Sequence, residues 1–282
     1  MLRIDPHTHS ACSDGTDTPS ELMWAALRAG LDVVGLTDHD TMAGWGEAAT
    51  QVGDTGVALI RGVELSCSSH GISAHLLAYL FEPTDAALLA AMEHTRESRD
   101  TRARHMVERI AEDYPLTWEM VQQFAPSDGG PVGRPHIADA LVALGAFPDR
   151  SAVFERVLLP SSPYYVHHWA PDPVEAVGMV RAAGGVPVLA HPRAGRRGRV
   201  LSEEVIAEMA AAGLFGLERD HRDHRGEDRE DVDRLAHRLG LQVTGSSDYH
   251  GTGKPNRLGE NLTSEYVYRA IEEQSHLEVL RP

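Results

Sequence analysis

Short apolar runs recur along most of the chain and alternate with amphipathic stretches. Runs such as 33–36 and 186–190 are apolar at successive positions, which is typical of strands buried on both faces. Further strands are predicted at residues 2–5, 57–65, 75–81, 214–217 and 241–245. Strands separated by helical segments are the pattern of an α/β protein.

The amphipathic stretches between these runs predict helices. Thr18-Pro19-Ser20-Glu21 is a capping box with proline at the first helical position, and Gly30 is a natural stop for that helix. Further helices are predicted from about residue 42 and over 174–183, 203–212 and 228–239. Repeated strand–helix units imply a mainly parallel sheet, either open or closed into a barrel.

The middle of the chain has a different pattern. A helical stretch rich in arginine and glutamate runs to about residue 112, and shorter helical pieces broken by prolines follow it. This segment has no apolar run comparable with the strands on either side. We therefore predict a helical insertion or cap domain over 84–168, within an α/β domain formed by 1–83 and 169–282.

Composition limits the classes of function. The 282 residues are 42% hydrophobic and 24% charged, which is typical of a globular protein. The formal net charge of −16 disfavours duplex DNA as a partner, although bound divalent cations would reverse the local sign for a small phosphorylated ligand. Two cysteines are too few for a thiolate zinc site. The chain has no membrane-length apolar run and no leader pattern, so a cytoplasmic protein is expected.

Histidines and carboxylates collect where the predicted strands end. The residues in question are His7, His9, Asp38, His39, Glu64, His191, Asp248 and His250. The carboxyl ends of strands are where α/β folds assemble active sites, so we expect these side chains to lie close together. In an extended segment His7 and His9 point to the same side, because strand side chains repeat every two residues.

These residue types suit a metal site. Neutral imidazole nitrogens bind zinc, iron or manganese, and a carboxylate such as Glu64 can bridge two metals. Paired metals can share a hydroxide and clamp a phosphoryl group. Lys254 is the only lysine, so a lysine-derived ligand elsewhere in the chain is excluded.

Several ordered motifs together resemble the polymerase and histidinol phosphatase (PHP) family. The matching pieces are Asp5-x-His7-x-His9-Ser10, Ser13-Asp14-Gly15, Thr37-Asp38-His39-Asp40, Gly62-x-Glu64-x-Ser66, His75, Ala190-His191-Pro192 and Gly245-Ser246-Ser247-Asp248-Tyr249-His250-Gly251. They span about residues 4–82 and 186–251 and leave the middle segment as an insertion. The resemblance implies an α/β fold, a distorted (β/α)7 barrel, with two to three divalent metal ions (Mn, Fe or Zn).

The resemblance also implies three ligand sets. The first is His7, His9, Glu64 and Asp248; the second is Glu64, His75 and His191; the third is Asp14, His39 and His250. Some relatives have a histidine in place of Asp14, and a carboxylate there favours harder ions such as manganese or iron.

The middle segment has a resemblance of its own. Residues 133–138 (Gly-Arg-Pro-His-Ile-Ala) and 163–166 (Pro-Tyr-Tyr-Val) look like the insertion of a PHP subgroup. That subgroup hydrolyses phosphate from nucleotides, including 3′,5′-bisphosphates, and short oligonucleotides. The chain departs from it at Ser162, where a lysine is common, and over 216–221, where the usual sequence is more apolar. The expected reaction is attack of a metal-bridging hydroxide on a nucleotide such as pAp, giving AMP and phosphate.

Other residues are candidates for substrate contact. Arg134 carries a planar fork that suits phosphate oxygens, and His136 follows it closely. Arg193 and Arg197 follow a metal-ligand motif on a loop, and one of the arginines there is expected to contact phosphate. The remaining candidates are Asp38, which could support an imidazole, and His221 and His224, which could donate a proton to the leaving group.

Four other functions stay open. The same site could serve a 5′→3′ exonuclease on short oligonucleotides, a histidinol phosphate phosphatase or an amidohydrolase-like enzyme acting on carbon–nitrogen bonds. The third ligand set and the lack of a lysine ligand weigh against the last of these. A metal-stabilised module without activity is the non-enzymatic alternative. The sequence leaves the oligomeric state open.

Overall fold

The chain forms two compact units. The structure is a computed structural model that describes residues 2–125, 132–167 and 169–282. The first unit consists of Met1–Met92 and Pro171–Pro282, and the second of Glu93–Ala170. The sequence-based boundaries at residues 83/84 and 168/169 stay predictions of functional domains.

The first unit is built on a seven-stranded sheet in which the strands follow their order in the sequence. The strands are β1 Ile4–Thr8, β2 Val33–Leu36, β3 Ala58–Ser69, β4 Ile72–Tyr79, β5 Val186–Leu189, β6 Gly216–Asp220 and β7 Gln242–Gly245. β1, β2 and β3 run parallel, as do β5, β6 and β7. β4 is antiparallel to both β3 and β5.

The direction of β4 follows from the two-residue loop that precedes it. His70 and Gly71 have φ angles of 50° and 72°, and this pair of left-handed residues is typical of a tight hairpin turn. A parallel connection needs a dozen residues or more, so a loop of this length can join only antiparallel strands. The two strands predicted separately at 57–65 and 75–81 are the arms of one hairpin.

The sheet curls until its first strand meets the end of its last. The amide of His9 donates to the carbonyl of Tyr249 at 2.8 Å, and the amide of Asp248 donates to the carbonyl of His7 at 3.0 Å. These bonds join the end of β1 to the segment that follows β7. The predicted α/β architecture, a distorted seven-stranded barrel, is confirmed.

Helices connect the strands and form most of the second unit. They are α1 Pro19–Arg28, α2 Trp45–Thr50, α3 Val52–Thr55, α4 Ala86–Ile110, α5 Trp118–Gln122, α6 Arg134–Ala143, α7 Arg150–Arg156, α8 Pro173–Ala182, α9 Glu203–Ala211, α10 Gly226–Leu239 and α11 Glu265–Gln274. The predicted capping box is present at α1, where Thr18 and Glu21 bond each other's backbone amides. The sequence interpretation did not include α11.

Each unit has its own core. Alternate strand positions point to opposite faces, so Val34 and Leu59 pack with helix residues such as Leu22, whereas Ile60 joins a second cluster that includes Tyr268 of α11. In the second unit α4 to α7 bury a separate apolar cluster. Its members include Met106, Ile110, Ile137, Leu141 and Val153. No helix in the described residues is long and apolar enough to cross a membrane.

Candidate metal centre

The strand ends of the first unit bring the predicted metal-ligand side chains together. Glu64 lies in the middle of them, with its two oxygens facing different imidazoles. We call this cluster of predicted ligands the centre; its members are His7, His9, Asp14, His39, Glu64, His75, His191, Asp248 and His250. Oε2 lies 3.4 Å from His7, 3.1 Å from His9 and 3.3 Å from His39; Oε1 lies 2.8 Å from His75 and 3.1 Å from His191. A carboxylate whose oxygens serve two groups of imidazoles has the geometry to bridge two cations.

A second group of donors lies beside Glu64. Ligand-type atoms of His9, Asp14, His39 and His250 all lie within 4.8 Å of one another. The same criterion groups His7, His9, Glu64 and Asp248, and also His39, Glu64 and His75. His9 takes part twice because its Nε2 faces Glu64 at 3.1 Å, whereas its Nδ1 faces Asp14 at 3.7 Å.

Several buried donor atoms in this group lack hydrogen bonds within the described structure. They are Nδ1 of His9, Oδ1 of Asp14, Nδ1 of His39 and Nε2 of His250. Nε2 of His250 lies 3.1 Å from Oδ1 of Asp14, yet the pair lacks hydrogen-bond geometry. Burying polar atoms without partners is costly, and a shared cation beside Asp14 would satisfy both Oδ1 of Asp14 and Nε2 of His250.

Two of the imidazoles, His39 and His250, are held in the neutral form that a metal requires. Burial and, after it, the charge of Lys254 together lower the pKa of His250 to about 4. Burial also holds the pKa of His39 well below its usual value. Burial alone would raise the pKa of Glu64, but His75 and its neighbours hold it well below the ordinary range. Neutral imidazoles around an ionised carboxylate are a metal-binding set.

Two of the predicted ligand positions have strained backbones. His191 and Asp248 have φ angles of 30° and 52°, in the left-handed region that side chains other than glycine rarely adopt. Each lies in the segment that follows a strand, His191 after β5 and Asp248 after β7. Strain of this kind persists only where surrounding bonds hold it, and it concentrates at functional sites.

Glu218 on β6 is a functional residue that the sequence interpretation missed. This fully buried carboxylate faces Nδ1 of His7 at 3.0 Å and accepts from the amide of His191 at 2.8 Å and from the hydroxyl of Ser246. Because a carboxylate accepts, Nδ1 of His7 carries the proton and Nε2 presents its lone pair to the centre. The available signal was a glutamate directly after the apolar run 214–217.

Other buried aspartates hold the loops that carry the ligands. Asp38 accepts from the amide of Ser10 at 2.8 Å and from the hydroxyls of Ser10 and Ser13, each at 2.6 Å. Asp5 accepts from the amides of Ser247 at 2.9 Å and Gly259 at 2.8 Å. These contacts make Asp38 a support of the loop between β1 and α1, whereas the support of an imidazole suggested by the sequence stays a prediction.

The candidate proton donors differ from each other. His221 is buried, with Nε2 3.3 Å from Oδ2 of Asp248, so it adjoins the centre. His224 uses both ring nitrogens on the backbone, since Nδ1 donates to the carbonyl of Arg219 and Nε2 accepts from the amide of Arg193. His224 therefore links two loops through these hydrogen bonds. The geometry does not support its predicted role as a proton donor, which stays a prediction.

The candidate phosphate-binding arginines have structural partners. Arg193 pairs with Asp231 and donates to the carbonyl of Leu201 at 3.0 Å. The side chain of Arg197 lies outside the described part of the chain. In the second unit, Nη1 of Arg134 donates to the carbonyl of Leu158 at 3.2 Å. His136 is buried, and its Nδ1 accepts from the amide of Gly133 at 3.0 Å.

Comparison with known proteins identifies the family. The model of the PHP domain matches residues 5–125. A 3′,5′-nucleoside bisphosphate phosphatase from Chromobacterium violaceum is 33% identical over the whole chain and 99% of its own length. The chain belongs to the PHP family. This confirms the resemblance seen in the motifs, from Asp5-x-His7-x-His9 to Asp248-Tyr249-His250.

Further relatives of this PHP protein are of comparable length. A 5′-3′ exoribonuclease from Haemophilus influenzae is 31% identical over 92% of the chain and 94% of its own length. A protein from Bifidobacterium adolescentis, assigned as a metal-dependent phosphoesterase, is 40% identical with a TM-score of 0.93 and covers 97% of the chain and 96% of its own. The match extends through both units, so it includes the insertion as well as the barrel.

Proposed function

We propose that this PHP protein hydrolyses the phosphate monoester of a nucleoside 3′,5′-bisphosphate such as pAp, giving AMP and phosphate. The enzyme class, a hydrolase of phosphoric esters, follows from the family and from relatives named as phosphatase and exoribonuclease. One observation carries the proposal: buried imidazoles and carboxylates converge around Glu64 and leave ligand atoms without other partners.

The residues present fit a polynuclear metal site. We infer two to three divalent cations, with manganese, iron or zinc as the candidates. The proposed ligands are His7, His9, Glu64 and Asp248 for the first, Glu64, His75 and His191 for the second, and Asp14, His39 and His250 for the third. When bound, such cations supply Lewis-acid charge and allow water to act as a nucleophile at neutral pH.

Hydrogen bonds within the chain orient the imidazoles of the proposed ligands. Glu218 fixes the proton of His7 on Nδ1, and the carbonyl of Asp248 accepts from Nδ1 of His250 at 2.8 Å. Both histidines therefore direct Nε2 toward the centre. Burial of these side chains keeps water from competing for the same donors, which strengthens electrostatic interactions with a charged substrate.

His221 is the remaining candidate for the proton that a leaving ribose oxygen needs. Its Nε2 lies against Oδ2 of Asp248, and its Nδ1 accepts from the amide of Asp223 at 3.0 Å. An Nδ1 that accepts leaves the ring proton on Nε2, the nitrogen nearer the centre. Arg134 and His136 stay proposals for phosphate contact, made from their motif in the insertion.

A 5′→3′ exonuclease acting on short oligonucleotides is the second candidate. The observation that favours it is the similarity, over 92% of the chain, to a relative named as a 5′-3′ exoribonuclease. Both reactions break a phosphate ester, so the same centre could serve either. The substrate that has the higher kcat/KM decides between the two functions.

The test compares substrates on metal-loaded protein. pAp, AMP, a 5′-phosphorylated oligonucleotide and histidinol phosphate are assayed side by side for released phosphate and nucleotide. We expect pAp to have the highest kcat/KM and Asp248→Asn to reduce it to background. Glu208→Gln, which removes an exposed carboxylate of α9, is the matched control and keeps full activity. Preference for the oligonucleotide would replace the proposal with the exonuclease, and inactivity on all four would refute it.

A further inference from the structure

Lys254 lies beside the centre. Its Nζ is 3.3 Å from Oδ2 of Asp248, and its side chain keeps 31% of its surface exposed. The other oxygen of that carboxylate, Oδ1, faces His7 at 3.5 Å and His9 at 3.4 Å. The ammonium group thus contacts a proposed metal ligand at the oxygen that does not face His7 or His9, while part of the lysine side chain reaches solvent.

The loop that carries Lys254 is anchored on both sides. Before it, the amide of Thr252 donates to the hydroxyl of Thr16 at 2.8 Å. After it, the buried amide side chain of Asn256 donates to the carbonyl of Ser247 at 2.7 Å. The lysine therefore projects from a fixed segment, because its backbone is held within two residues in each direction.

Three described arginines of the first unit pair with carboxylates outside the proposed ligand sets. Arg193 pairs with Asp231, Arg219 with Asp233, and Arg222 with Glu260. Among the described side chains of the first unit, Lys254 alone among lysines and arginines forms an ion pair with a proposed metal ligand.

We propose that Lys254 contacts the phosphoryl group that is hydrolysed and balances its negative charge. This inference rests on the proposed function and adds a substrate-binding residue to it. A phosphate monoester carries more negative charge than the single carboxylate of Asp248, so it offers the ammonium a stronger partner. Asp248 holds the lysine in position before the substrate arrives.

Kinetics of three variants test this role. We expect Lys254→Met to lower kcat/KM for pAp by about 10²-fold, the size of effect seen when one charge-stabilising donor is removed. Lys254→Arg keeps the charge and recovers part of the rate. Arg257→Met removes an exposed cation from the same loop and stays within about twofold of wild type.

The metal content of each variant separates substrate contact from an indirect effect. Full metal content in Lys254→Met with reduced kcat/KM supports the proposal. A parallel loss of metal and activity would show that Lys254 acts only through Asp248, and an unchanged kcat/KM would also overturn the proposal. If wild-type protein hydrolyses none of the phosphate esters, the proposed function fails instead.

A labelling experiment supplies a readout that does not depend on turnover. Lys254 is the only lysine in the sequence, so an amine acetylating reagent modifies one side chain, within the arginine-bounded peptide 239–257. We expect inorganic phosphate to slow acetylation of Lys254 in the metal-loaded protein, with Lys254→Arg as the blank. An unchanged rate at phosphate concentrations up to the limit of solubility would contradict the proposal.

Discussion

Glu218 decides which nitrogen of His7 faces the centre. Burial would raise the pKa of this carboxyl, but His7 and the histidines beyond it hold the pKa far below its usual value, so it stays ionised. Its contacts to His7, His191 and Ser246 tie the ends of three strands together. One side chain thus orients a ligand and fixes the backbone of a second.

We expect Glu218→Gln to weaken metal binding by about 10–100-fold, the range typical of lost ligand-orienting partners. The amide keeps the size of the side chain but offers one acceptor oxygen instead of two. Metal titration of the variant, with Glu208→Gln as the control, measures the loss. If the two variants bind metal with equal affinity, Glu218 does not support the metal ligands.

His9 makes metal affinity depend on pH. Burial alone would lower its pKa, but hydrogen bonds to Asp248 and Glu64 raise the pKa to about 9. In the metal-free protein the ring therefore holds a proton at pH 7, and a metal must displace it. Affinity rises as pH increases toward 9, by about tenfold per unit for one released proton. Competition with a chelator at pH 7 and pH 8 measures this, and a flat profile would contradict it.

At the scale of strands and helices, the sequence predicts positions better than directions. Apolar runs place the strands because buried strands have no polar face. The direction of β4 depends on the His70-Gly71 turn, a signal that lies in two residues between two recognised strands. α11 was missed because an amphipathic helix with exposed Tyr266 and several glutamates has little apolar sequence to mark it.

In the centre, too, some features can be predicted from local sequence, whereas others depend on contacts between distant segments. The gathering of His and Asp side chains could be predicted because each of these residues follows a strand that its own motif identifies. The roles of His224 and Arg193 could not be predicted, since their partners come from other loops: His224 bonds the amide of Arg193, and Arg193 pairs with Asp231. Only the folded chain shows that these groups are already engaged.

Gly35 tests the spacing of β1 and β2. A Cβ at this position would lie 2.0 Å from the carbonyl oxygen of Pro6, the residue before His7. We expect Gly35→Ala to push the two strands apart, lower the free energy of unfolding by about 1–3 kcal/mol and weaken metal binding. Gly46→Ala is the control, because a Cβ there meets nothing within 4 Å and α2 gains helix propensity. Chemical denaturation of both variants gives the comparison; equal stabilities would show that the strands tolerate the methyl group.

At the scale of the whole molecule, the first unit buries a charged group of side chains in which several polar atoms lack hydrogen bonds. Cations that bind only the folded state stabilise it, by about 2.7 kcal/mol when their concentration is 100 times the dissociation constant. We expect chelation to lower Tm and added manganese to raise it. Thermal unfolding of wild type and Glu64→Gln checks this. A shift of the same size in the variant would place the stabilising metal elsewhere.

The hydrogen bonds that join the end of β1 to the segment after β7 bear on biosynthesis. Chain growth proceeds from the N-terminus, and His7 and His9 emerge long before Asp248 and His250 exist. The first and third proposed ligand sets are therefore complete only once residues 248 and 250 have been translated, whereas the second is complete at His191. We therefore expect complete metal binding to be a late event that requires closure of the barrel. A chain truncated before residue 248 would leave the ribosome without Asp248 and His250, and so without complete first and third ligand sets.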